Sequence, residues 1–127
     1  MNDRTLAIAI AATIATAAGL GASAANAQDF DCRVAATAAE TTICGSARLR
    51  ALDDQMADLY GQLWGVLGNP VFDDSRRLGV RAFQRDFLAS RDDCGTDTGC
   101  LIKLYQRRNL GIIHTIRKAG QEIDRRS

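Results

Sequence analysis

Residues 46–70 read SARLRALDDQMADLYGQLWGVLGNP, and the spacing of their apolar side chains decides the fold class. Leu49, Leu52, Met56, Leu59, Tyr60, Leu63 and Leu67 recur three and four residues apart, which lines them along one face of a helix. Ser46 stands where an N-cap belongs, and Gly68-Asn69-Pro70 supplies the stop. Asp53, Asp54 and Asp58 are expected mostly off the apolar stripe. Gly61 and Gly65, four apart beside Trp64, suggest a close crossing with a second helix. The membrane use of such a glycine pair needs a far more apolar segment.

The same periodicity continues on both sides. Upstream, Thr37-Ala38-Ala39-Glu40 has the form of a capping box, in which side chains at both ends satisfy free backbone N–H groups. It predicts a short helix to about Cys44, with Gly45 as its stop. Downstream, Asp73 or Asp74 caps a helix reaching about Arg91, with Leu78, Val80, Phe83, Phe87 and Leu88 as its apolar face. Residues 92–100 read as a polar loop with two glycines, closed by its own disulfide. A last helix follows, burying Leu101, Leu104, Tyr105, Ile112, Ile113 and Ile116; Gly120 weakens it, and 121–127 is expected to be a frayed, charged tail. Alternating apolar and polar residues are nearly missing, and Pro70 is the one proline. The expected fold is all-α: a small disulfide-stapled bundle of one short and three longer helices, two of them an antiparallel hairpin closed by a Cys loop.

The first residues carry an address. Met1-Asn2-Asp3-Arg4 is followed by an apolar run from Leu6 to Leu20 and by Ala25-Asn26-Ala27, the small-x-small form of a signal-peptidase site. The run is shorter than the ~20 residues a spanning helix requires, so no stable membrane anchor is expected. Residues 1–27 therefore read as a signal peptide and 28–127 as the mature domain, periplasmic or secreted. Its four cysteines, Cys32, Cys44, Cys94 and Cys100, read as two disulfides behind an export signal. Local pairing, Cys32–Cys44 with Cys94–Cys100, is favoured because each pair flanks a short turn-forming segment, although four cysteines allow three pairings. Separations of 12 and 6 residues do not make the two close Cys pairs of a four-thiolate zinc site, so no metal is expected.

Little in the chain suggests chemistry. The formal net charge of +1 offers no electrostatic argument for nucleic acid. His114, the one histidine, has Leu110, Gly111, Arg117 and Lys118 at helical neighbour positions, none of them a metal ligand of suitable type. Asp53-Asp54 and Asp92-Asp93 are the carboxylate pairs open to a hydrolase, yet adjacent helical residues diverge by about 100° and do not converge on one bond. Neither a catalytic set nor a cofactor is expected, and the domain reads as a binding module rather than an enzyme.

Taken together, Cys32-x-x-Ala35-x-Thr37-x-x-Glu40-x-x-Ile43-Cys44, then Leu49, Leu52-Asp53, Met56, Tyr60 and Leu63, resemble the opening of the LprI-type lysozyme inhibitor family. Gln84-x-x-Phe87-Leu88-x-x-Arg91-Asp92-x-Cys94 and Cys100-Leu101-x-x-x-Tyr105-x-x-Arg108 are similar to its later segments. The likeness spans Asp31 to about Leu110. Phe87 stands where the family usually has Trp, and Asn109 replaces an aliphatic residue, suggesting a more exposed position. The resemblance implies a scaffold in which Thr37 and Glu40 cap, Tyr60 and Tyr105 pack, and Asp53, Arg91 and Arg108 form buried or half-buried ion pairs. It also implies a protein partner, a lysozyme-type muramidase, blocked by steric occlusion of its cleft. The stapled loop with Asp92, Asp93 and Asp97 is the expected target-binding element, since acidic groups suit a basic partner. The alternative is a cell-envelope adaptor or structural module that binds another protein or a glycan.

Overall fold

The computed structural model describes residues 30–127, and the expected signal peptide over 1–27 lies outside the described residues. A 3-10 turn, Cys32–Val34, leads to four α-helices: α1 (Ala38–Cys44), α2 (Ala47–Leu67), α3 (Asp74–Cys94) and α4 (Thr98–Arg126). Each helix start has a side-chain cap. Thr37 Oγ1 accepts from the Glu40 N–H while the Glu40 carboxylate accepts from the Thr37 N–H, completing the capping box. Ser46, Asp73 and Asp97 accept from the first-turn N–H groups of α2, α3 and α4.

The helices form an up-down-up bundle. Tyr105 and Asn109 of α4 bond Asp53, Leu52 and Gln55 at one level of α2, while Arg126 reaches the carbonyl of Val71 just past its other end. α2 and α4 therefore run parallel and form the most extensive contact, with α3 antiparallel between their ends and leaning mainly on α4. α1 touches all three long helices. The core holds Ile43, Leu49, Met56, Leu63, Leu67, Phe87, Leu101, Tyr105 and Ile112, with Phe87 and Tyr105 edge to face at 5.1 Å between centroids. Disulfides join Cys32 to Cys44 and Cys94 to Cys100, the local pairing. Such bonds belong to an oxidising environment. No helix among the described residues is long and apolar enough to cross a membrane.

Several expectations are corrected. α3 continues to Cys94 and α4 begins at Thr98, so the nine-residue loop shrinks to Gly95-Thr96-Asp97. Gly95 makes this possible: its φ of +55° is a conformation L side chains rarely adopt. The tail is not frayed, because α4 runs to Arg126 and Glu122 bonds both Arg126 and Arg76 of α3. Gly61 and Gly65 are exposed, and a Cβ on either would meet nothing within 4 Å, so no helix crosses there. Leu78 and Phe83 are 63% and 69% exposed, because α3 buries Gln84, Phe87 and Arg91 instead. Asn109, expected at a more exposed position, is buried; Asp53, read as off the apolar stripe but expected at a buried or half-buried position with Arg91 and Arg108, is buried too.

Candidate functional site

The acidic end of the hairpin is built from the last turn of α3, Gly95-Thr96-Asp97 and the first turn of α4. The Cys94–Cys100 disulfide spans the turn, and the Gly95 N–H donates to the Asp92 carbonyl while the Asp97 N–H donates to the Cys94 carbonyl. The three predicted acids sit together there with different duties. Asp97 Oδ1 accepts from the Cys100 N–H and so starts α4. Asp92 Oδ1 accepts from Arg91 Nε at 3.1 Å, Arg91 Nη2 at 3.0 Å and the Thr37 hydroxyl at 3.4 Å. Asp93 is exposed on the last turn of α3.

Behind this end lies a polar network that fixes its position. Arg91 is buried, and its Nη2 pairs with Glu40 Oε1 at 3.0 Å as well as with Asp92. The other Glu40 oxygen serves the cap of α1, so a single carboxylate ties α1 to α3. Burial is the strongest single influence and works against the Arg91 charge, but the Asp92 hydrogen bond and the other favourable contacts together hold the guanidinium above its ordinary range. The guanidinium also lies over the Phe30 ring at 5.3 Å. Deeper in, the Tyr105 hydroxyl donates to Asp53 Oδ1 at 2.7 Å. Burial, then the Asp53 charge, pushes the Tyr105 phenol far up, so it stays a neutral donor.

Arg108, expected in an ion pair, instead donates through Nε and Nη2 to the neutral Gln84 Oε1 at 3.2 and 2.7 Å. Gln84 Nε2 in turn faces Met56 Sδ. Asn109 donates to the Leu52 carbonyl and to Gln55, which explains why an amide occupies the α2–α4 seam. Its Oδ1 is the one buried side-chain oxygen or nitrogen without a hydrogen bond among the described residues.

Of the carboxylate pairs, Asp53 is buried while Asp54 is exposed, and Asp92 faces Arg91 while Asp93 faces solvent. The structure brings neither pair together in a cleft. His114 is exposed on α4. Among the described residues no group of three His, Cys, Asp or Glu side chains is placed to hold a metal ion.

No protein-family model, no curated protein and no solved structure matches this chain. Asp53, Gln84 and Asn109, which the apolar stripes left out, form the hydrogen-bonded seams between the long helices. Spacing was the available signal. Asp53 lies four after Leu49 and three before Met56, and Gln84 and Asn109 fall likewise on the buried registers of α3 and α4.

Proposed function

We propose that the protein is an exported binding protein, periplasmic or secreted, that inhibits a lysozyme-type muramidase by occluding its cleft with the acidic end of the α3–α4 hairpin. One observation carries this reading: Asp92 and Asp93 on the last turn of α3 and Asp97 on the three-residue turn that follows stand at one end of the hairpin, which a disulfide closes and the Glu40–Arg91 network backs. A projection ordered before binding loses little conformational freedom on binding, and that saving goes into affinity. Clustered carboxylates favour encounter with a basic partner. The choice of a muramidase comes from the likeness to the LprI-type family, and export from the leader-like first residues together with the two disulfides.

The test is to titrate the oxidised mature domain against lysozyme acting on peptidoglycan. Inhibition should appear and should weaken with added salt. Asp93→Asn with Asp97→Asn should weaken it by roughly ten-fold or more, since charge pairs across an interface contribute on the order of a kcal/mol or more. Asn caps a helix about as well as Asp, so the double variant keeps the start of α4 while removing its charge. Unchanged lysozyme activity at large molar excess overturns the inhibitor reading for that class of enzyme.

A further inference from the structure

The N-terminal half of α3 buries no side chain fully, although Val80 packs against the core and Arg76 pairs with Glu122 of α4. The buried residues of α3 are Gln84, Phe87 and Arg91, all in its second half, and Phe72 precedes the helix. Between the first half of α3 and α4 a groove of about 380 Å³ opens over a floor of Leu63 and Ile112, walled by Val80 and Phe83. A second hollow of about 350 Å³ adjoins it, and the two share Phe83, Arg108 and Gly111. These are volumes of the size that hold a small ligand. Gly79 and Gly111 line the groove, and a Cβ on either would meet nothing within 4 Å.

The charge around the groove is mainly basic. Among the described residues, Arg76 and Arg108 are the only charged residues lining the larger hollow, and Asp86 stands with Arg107 and Arg108 around the second. Residues 74–126 carry 12 Lys and Arg against 7 Asp and Glu, a net of +5, whereas 30–73 carry 3 against 6, a net of −3. Arg76 is already paired with Glu122. Arg108 is different, because its two hydrogen bonds go to the neutral amide of Gln84. A guanidinium has five N–H donors, so it keeps donors for an anion. Burial pulls the Arg108 pKa below its ordinary value, and an anion at that point would offset the desolvation.

We propose that this groove binds a free long-chain alkyl carboxylate, with the chain along Leu63, Val80, Phe83 and Ile112 and the carboxylate on Arg108. An apolar trough with a half-buried cation at its side matches an anionic amphiphile. A neutral or cationic one would leave Arg108 without a counter-charge. The site is on the side of the hairpin and does not depend on the acidic end or on the muramidase reading.

The test uses the oxidised mature domain with laurate, dodecylammonium and dodecanol, each below its micellar concentration, and phosphatidylglycerol vesicles as a separate arm. Affinity is read by calorimetry, and the site by the amide shifts of Gly79 and Gly111. Laurate is expected to bind at least about ten-fold more tightly than either other amphiphile, moving both glycine amides. Gly111→Leu puts a side chain into the groove from a Cβ position that meets nothing within 4 Å, and should weaken laurate by about ten-fold or more, with the helical signal intact. Arg108→Gln should abolish the preference for laurate over dodecanol. The proposal is overturned if dodecylammonium binds as well, if the glycine amides do not move, or if Gly111→Leu binds laurate normally. It is equally overturned if only vesicles bind, or if the groove closes through a self-association that Gly111→Leu removes.

Discussion

Tyr105 and Glu40 each place a polar group where the helices meet, and each can be altered almost without changing shape. Tyr105→Phe keeps the edge-to-face contact with Phe87 but removes the donor 2.7 Å from buried Asp53. It is expected to cost roughly 1–3 kcal/mol in urea unfolding, the penalty for a buried group losing a partner. Glu40 divides its work between its two oxygens: Oε1 meets Arg91, and Oε2 accepts from the Ala36 and Thr37 N–H groups. Glu40→Gln can still cap through its carbonyl oxygen but turns an NH₂ toward Arg91. Glu40→Ala loses the cap as well. The glutamine variant should therefore lose roughly 1–3 kcal/mol, with about 1 kcal/mol more for alanine. Equal losses in the two variants would mean that the capping box contributes nothing.

At the scale of elements, the helix starts were legible because caps are local. Thr37, Ser46 and Asp73 announce α1, α2 and α3 through the few residues that follow them. The pairing of the disulfides was legible for the same reason. What stayed hidden was which polar residues the bundle buries, since that depends on neighbours distant in sequence. Apolarity pointed to Leu78 and Phe83 as the inner face of α3, but 84, 87 and 91 share one stripe at helical spacing, and that stripe packs against α4. Gly61 and Gly65 misled in a similar way, because a small pair can mark a close crossing or simply an exposed face. The exposed face makes a prediction. Replacing either with Ala should stabilise the domain by about 0.5–1 kcal/mol, as helical glycines exposed to solvent do. A loss of stability would restore the crossing. The acidic end was half legible: its three carboxylates were identified, but the cap made by Asp97 and the Arg91 contact of Asp92 needed the fold.

For the whole molecule, the disulfides and the polar seams together turn a modest core into a fixed shape. Closing loops of 12 and 6 residues contributes on the order of 2–3 kcal/mol each in the chain-entropy account. That is a large share of the stability of a domain this size. The charge is also divided, with carboxylates gathered at the end of the hairpin while the rest of α3 and α4 is basic. One molecule thus offers two faces of opposite sign. In the proposed reading, a preformed end of the hairpin performs the task. It is tested most directly by comparing, in the lysozyme titration, the oxidised domain with a Cys94→Ser, Cys100→Ser variant of the same helical content. The intact domain should inhibit, and the opened variant should do so about ten-fold or more weakly, because its turn must be ordered on binding. Equal inhibition by the two proteins would contradict the claim.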